Sequence, residues 1–344
     1  MTNGYLAWLG GEPLMTHLVN SKYMRIAFVG KGGSGKSTLT TSFASYLRTN
    51  TDKPVVVFDA DLNIHTPELL GFTAIPFEKH LSHPETTKTI QKWLIGDNEI
   101  TKLGAFRKTT PPTRNSNLLL LEKLKKTPLA DFGMHRDNLS VFVVGTYQEN
   151  DIGASCYHNN LAVFESILNH TDDLNAYLVA DMVAGVDSFA GTLHAQFDLT
   201  CLIVEPTKRS IEVYEKYKIL AMEAGVLDGL MVIANKVRSN ADKDFINTHI
   251  ESEKILGYFV DDEYLRQIDQ TGEALLIKKL NNHNQALLEK IAIKLDSFPD
   301  ARDSRLHKLW ELHKKYVSQP FITERFGDLT IQIDPLFSYR QVET

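Results

Sequence analysis

The chain has 344 residues, 43% hydrophobic and 23% charged, proportions ordinary for a globular protein with material for one large domain or two small ones. A net charge of −6 argues against a protein that coats nucleic acid or an anionic membrane, and no apolar run reaches the ~18 residues of a membrane span. Two cysteines, Cys156 and Cys201, give no disulfide framework, and the N-terminus lacks a signal-peptide pattern, so a reducing cytoplasm is the expected location.

Residues 1–23 contain Trp8, adjacent glycines and Pro13 without a clear period. They read as an N-terminal extension, either loosely docked or lying ahead of a native start at Met24. Ile26–Val29 is a short apolar run that predicts a strand. It leads directly into Gly30-Lys31-Gly32-Gly33-Ser34-Gly35-Lys36-Ser37-Thr38, and a helical pattern follows from Lys36 to Arg48. Strand, G-x-x-x-x-G-K-S loop and helix in that order are the context of a phosphate-binding loop. Glycines let backbone N–H groups turn inward around an anion, and the helix adds its positive end. Lys36 is expected to reach β- and γ-phosphates, Ser37 to offer its hydroxyl to Mg²⁺, and Thr38 to bond the α-phosphate.

Val55-Val56-Val57-Phe58 is continuously apolar, as a parallel strand covered on both faces must be, and it ends in Asp59-Ala60-Asp61. Residues 75–135 are proline-rich and irregular, with helical stretches near Ile90–Leu94 and Leu118–Lys125, and read as an insertion on the nucleotide face. Further strands are expected at Ser140–Val144, Ala176–Ala180, Leu199–Val204, Leu230–Ala234 and Ile255–Val260. Helices are expected at Asn160–Asn169, Val186–Gln196, Ser210–Ala224, Asp262–Asp269 and Asn282–Leu295. This alternation predicts an α/β fold, a mostly parallel central sheet with helices on both faces, with ligands at the carboxyl ends of its strands.

The domain division expected is an ATPase domain over 24–298 and a C-terminal appendage over 299–344. In the appendage Arg302–Val317 predicts an amphipathic helix with Leu306, Leu309, Trp310, His313 and Val317 on one face. Leu329–Ile333 alternates like an edge strand. A tail packed on its own domain is the favoured reading, and a docking appendix the other.

Phosphoryl transfer needs charge stabilisation, a metal and an oriented water. Asp59 and Asp61, one strand after the loop, are candidates for the last two. Leu178-Val179-Ala180-Asp181 is a second acidic strand end, where Asp181 would hold Mg²⁺ through water. Gly185 fits a switch glycine whose N–H meets the γ-phosphate. Asn235-Lys236-Val237-Arg238 lacks the N-K-x-D guanine signature, so ATP is preferred to GTP. The Asn235 amide can pair with an adenine edge, having both a donor and an acceptor.

The second lysine, Lys31, makes the loop resemble the deviant Walker A motif, K-G-G-x-G-K-[ST], of the MinD/ParA/nitrogenase-iron-protein class of P-loop ATPases. That resemblance implies an ATP-dependent homodimer in which Lys31 crosses to the partner's nucleotide. It also makes Lys31, Lys36 and Asp61 the catalytic residues, with Asp59 in support of Mg²⁺ and the loops at Glu205-Pro206 and Asn235-Lys236 around the base. Gly30–Thr38, Asp181-Met182-x-Ala184-Gly185 and Glu205–Glu212 further resemble the CooC-type ATPases of carbon monoxide dehydrogenase maturation. This implies a client protein, such as a metalloenzyme. Cys156-Tyr157-His158 falls where that family carries a C-x-C pair that binds nickel or zinc at the dimer interface. Here His158 replaces the second cysteine and Val183 an expected acid, so a Zn²⁺ or Ni²⁺ site at Cys156 and His158 and its loss both stay open. A ParA/MinD-like partitioning or positioning ATPase that binds DNA or membrane is the alternative role.

Overall fold

The computed structural model describes residues 24–145, 157–182 and 187–339, without the side chains of 157–159, 187 and 190. The proposed extension 1–23, Cys156, Gly185 and the side chain of His158 lie outside the described residues.

In chain order the strands and helices are β1 (Met24–Gly30), α1 (Lys36–Asn50), β2 (Val55–Ala60), α2 (Thr66–Leu69), α3 (Pro84–Ile95), β3 (Leu119–Leu120), β4 (Met134–Arg136) and β5 (Leu139–Val143). Then come α4 (Tyr157–Asn169), β6 (Thr171–Asp172), β7 (Tyr177–Met182), β8 (Leu199–Val204), α5 (Lys208–Glu223), β9 (Leu230–Val237) and α6 (Asn240–His249). The chain ends with β10 (Ile255–Val260), α7 (Glu263–Thr271), α8 (Asn282–Asp296), α9 (Arg302–Val317) and α10 (Pro320–Phe326).

Eight strands form one sheet in the order β10-β9-β8-β1-β7-β2-β5-β4. All neighbours are parallel except β4 and β5. A two-residue strand pair, β3 with β6, stands apart. Along β1 the side chains alternate between two apolar layers, as the period of two requires. Met24, Ile26 and Phe28 pack with Leu39, Phe43 and Leu47 of α1 and Leu288 and Ile291 of α8. Ala27 and Val29 share the opposite layer with Ile90 of α3, Phe164 of α4, Tyr214 of α5 and Ile246 of α6. The expected parallel sheet covered on both faces is therefore the observed one.

Three expected elements differ. In place of the helix expected over Val186–Gln196, the described residues 187–196 form two 3₁₀ turns, Asp187–Ala190 and Leu193–Ala195. Between them the buried Glu165 carboxylate accepts the Thr192 N–H at 2.6 Å and its hydroxyl at 2.7 Å, which anchors the chain where a helix would run on. Leu118–Lys125 divides into β3 and a 3₁₀ turn, Leu121–Lys126, because Leu119 N–H bonds the His170 carbonyl at 2.8 Å. Leu329–Ile333 holds a 3₁₀ turn, Thr330–Gln332, rather than an edge strand. Asp328 Oδ1 accepts Thr330 N–H at 2.9 Å and Gln332, buried, bonds Thr110 and Ala105.

Helix α9 forms over the expected residues, with Leu306, Leu309, His313 and Val317 buried and Trp310 partly so. It also buries Arg302 and Arg305, which the apolar pattern does not anticipate. Among the described residues no helix is long and apolar enough to cross a membrane.

Candidate nucleotide site

β1 lies in the middle of the sheet and delivers Gly30–Thr38 to its carboxyl edge. Two glycines there are required by backbone, and Gly30 by space as well. At Gly30, φ +151°, a Cβ would come 2.7 Å from the Ile203 carbonyl; at Gly35, φ +93°, it would come 2.1 Å from Asn235 Nδ2. Gly35 is also the N-cap of α1, which has no side-chain cap and no acid in its first turn. The first N–H groups of α1 and its positive end are thus left for an outside anion.

The ends of β2 and β7 lie beside this loop, with Asp59 and Asp181 in register. Both are fully buried. Asp61 carries the charge partner of the loop lysine: Lys36 Nζ stands 3.0 Å from Asp61 Oδ2. Asp59 accepts the Asp61 N–H on Oδ1 at 3.3 Å, and the N–H groups of His65 and Thr66 on Oδ2 at 3.2 and 3.1 Å. It organises the loop that carries Asp61. Asp181 Oδ2 accepts the Thr66 hydroxyl at 3.2 Å, whereas its Oδ1 is buried with no hydrogen-bond partner.

Burial drives the Asp181 pKa up to about 6, although the nearby Ser37 hydroxyl and Lys36 ammonium favour its charged form. Burial, and then the Asp181 charge, push Asp59 well above the carboxylate range. Acid in excess over lysine, in a dry place, is a strong field for a cation. Ser34 Oγ, in the loop, is a second buried polar atom without a partner.

The ends of β8 and β9 hold the loop from the other side. Asn235 Nδ2 donates to the Ser34 carbonyl at 2.6 Å, and Lys236 Nζ to the Gly33 carbonyl at 2.8 Å and to Glu205. Lys236 takes a left-handed backbone, φ +57°, a strained choice for a residue with a Cβ. Asn235, expected at the adenine edge, is here committed to the loop backbone. Glu205 and Lys236 sit together, and Lys31 is exposed.

A cleft of about 620 Å³ opens over the loop, walled by Lys36, Ser37, Asp61, Glu68, Asn235 and Phe259 among others. Sequence reasoning missed Thr66, which lies seven residues past Asp59 in a stretch with no motif; its only local signal is a polar residue before Pro67. Among the described residues no group of three or more His, Cys, Asp or Glu is placed to hold a metal ion, and the Cys156/His158 expectation falls outside that description.

Residues 26–276 match the CobQ/CobB/MinD/ParA nucleotide binding domain. The chain is 27% identical over 252 residues to the carbon monoxide dehydrogenase accessory protein CooC of Rhodospirillum rubrum, covering 72% of this chain and 88% of that one. It is 25% identical over 259 residues to an ATP-binding protein of Methanocaldococcus jannaschii, covering 73% and 91%. The fold is that of a ParA family ATPase from Chlorobium tepidum, with TM-score 0.51 and 15% identity over 78% of this chain and 97% of that one. A phosphate cradle at the centre of a parallel sheet, flanked by two acidic strand ends, agrees with these likenesses: the chain belongs to the CobQ/CobB/MinD/ParA family of nucleotide-binding ATPases.

Proposed function

We propose that this protein binds and hydrolyses ATP, closes into a homodimer on doing so, and serves as an accessory factor in the maturation or metal loading of a partner metalloenzyme. The observation that carries the ATPase part is the Lys36–Asp61 pair beside a buried Asp181 with a free oxygen. The accessory role is supported by likeness to CooC along most of that protein's length.

Arriving phosphates compete with Asp61 for Lys36. Once Lys36 turns to the β- and γ-phosphates, Asp61 is released to accept a hydrogen bond from the attacking water and orient it. The backbone N–H groups of the loop and of α1 supply fixed donors that need no reorganisation as charge develops. Ser37 and Asp181 are the residues that would hold Mg²⁺, and their hydroxyl and carboxylate oxygens fit its preference for hard donors. When bound, the ion neutralises charge on the phosphates. Lys31, exposed on the loop, is the residue that would reach a second subunit's nucleotide.

Size-exclusion chromatography with inline elemental analysis, with and without MgATP, tests this reading. A monomer that becomes a dimer with MgATP, and fails to do so as Lys31→Ala while still binding nucleotide, is the expected result. An unchanged oligomeric state with nucleotide bound overturns the dimer. Salt-dependent DNA binding or ATP-dependent vesicle binding would replace the accessory role with partitioning or positioning.

A further inference from the structure

Thr66 touches both acidic strand ends at once. It is fully buried. Its N–H donates to Asp59 Oδ2 at 3.1 Å and its hydroxyl to Asp181 Oδ2 at 3.2 Å. Asp59 and Asp181 lie side by side in register on β2 and β7, so Thr66 closes a bridge from one strand end to the other. A buried hydroxyl that donates to a carboxylate forms a charge-assisted bond, stronger than a neutral one. By taking Oδ2, it leaves Asp181 Oδ1 as the oxygen without a partner.

We propose that Thr66 is a positioning residue: its hydroxyl fixes which oxygen Asp181 offers to Mg²⁺ and ties the state of that carboxylate to the loop carrying Asp61. The inference rests on the ATPase reading above and deepens it. Both directions of the coupling are present in the bonding. Toward the loop, the N–H groups of Asp61, His65 and Thr66 hang on Asp59. Asp61 in turn accepts the Asn63 N–H at 3.2 Å and pairs with Lys36. Away from the loop, Thr66 begins α2, whose Glu68 and Leu69 wall the cleft. The Leu69 carbonyl accepts the Leu275 N–H at 2.9 Å, which links α2 to the segment after α7. A metal held by Asp181 would therefore be connected to the water-orienting loop and to the cleft wall through one hydroxyl.

The test compares Thr66→Val, which keeps shape and loses the hydroxyl, with Thr66→Ser, which keeps it. Affinity for a fluorescent ATP analogue is measured with and without Mg²⁺, together with the Mg²⁺ half-saturation of that binding, kcat and KM. Partners of a metal-bearing group typically contribute 10–100-fold to metal affinity or activity. Thr66→Val is expected to raise the Mg²⁺ half-saturation about tenfold and lower kcat about 10–100-fold. Metal-free nucleotide affinity stays as in the wild type, and Thr66→Ser recovers most of the loss.

A wild-type Mg²⁺ half-saturation in Thr66→Val, or a Thr66→Ser as impaired as Thr66→Val, overturns the proposal. Amide hydrogen exchange of the wild type provides a readout independent of any variant's folding. With the nucleotide analogue bound, Mg²⁺ is expected to change protection at residues 61–66, and no change there overturns the proposal. A wild type that shows no Mg²⁺-dependent nucleotide binding instead defeats the ATPase reading itself.

Discussion

The central sheet carries a buried charge cluster at each end of its strands, and the two are built to opposite plans. At the amino ends of β1, β7 and β8, Arg25, Arg302 and Arg305 meet the buried Asp172, Asp173 and Asp198, with Asp300 also on Arg302. Arg25 pairs with Asp173 at 2.9 Å, Arg305 with Asp173 at 3.1 Å and with Asp198, and Arg302 with Asp172 at 3.5 Å. Burial raises the pKa of Asp172 and Asp198, yet Asp173, shared by Arg25 and Arg305, lies below the usual range despite its burial. At the carboxyl ends Asp59, Asp61 and Asp181 face one lysine, and Asp59 and Asp181 are pushed up. The first cluster sets an arginine beside each of its buried aspartates, although one Asp173 oxygen stays without a hydrogen-bond partner. The second is left short of positive charge, which a cation beside a phosphate would supply. A buried charge cluster is thus structural or functional according to whether its charges balance.

The largest expected effect tests the carboxyl end alone. Asp61→Asn should lower hydrolysis by about 10²–10⁴-fold while nucleotide still binds and the thermal midpoint is held; turnover and binding assays on one preparation decide it. A collapse of folding instead would move Asp61 into the structural class.

The amino end should answer in the other currency. Arg305→Leu leaves Asp173 and Asp198 with a lost partner and should cost about 3–5 kcal/mol in urea unfolding, with nucleotide affinity of the folded fraction unchanged. A loss below about 1 kcal/mol would show that α9 is not anchored by this pair.

Acid should separate the two ends by sign. His170, buried near the amino end with Nδ1 donating to the Ser166 carbonyl at 3.0 Å, has its pKa lowered to about 4 by burial. The unfolded chain takes up that proton first. The contribution of His170 is present above about pH 6.5 and is lost as pH falls toward about 4, by roughly 3 kcal/mol. Asp181, raised to about 6, runs the other way: the folded chain takes its proton first, so its term favours folding as pH falls from about 6 toward 4. Urea midpoints from pH 4 to 7 should show a shallower acid loss in His170→Gln and a steeper one in Asp181→Asn. Equal slopes in both variants would remove the distinction.

The smallest effect calibrates the others. Arg114, before β3, reaches Asp334, after α10, at 2.9 Å, but is 55% exposed. Arg114→Ala should change stability by less than about 1 kcal/mol. A larger loss by urea unfolding would mean that exposure does not divide these pairs.

Much of the nucleotide end was legible in the chain. Gly30–Thr38 announces itself because left-handed glycines, a lysine and a helix start must be contiguous to cradle phosphate. Asp59, Asp61 and Asp181 are legible as acids closing apolar strands. Thr66 was not, since its importance lies in reaching Asp181, 115 positions away. Asn235 is legible as a candidate, but its bond to the Ser34 carbonyl, 201 positions away, is not. The 187–196 stretch misled because its periodicity is helical and a single buried carboxylate, Glu165, overrides it.

What the sequence by itself determined are the features set by neighbours along the chain: the phosphate loop, the strand and helix alternation, the parallel sheet and the amphipathic α9. Periodicity and glycine backbone freedom are short-range properties, so a linear reading captures them. Only the tertiary structure decided which charges face each other. Arg305 meets Asp173 and Asp198 over 132 and 107 positions, and Lys36 meets Asp61 across two strand ends. Ion pairing depends on distance and burial in three dimensions, and no local pattern in the chain encodes either.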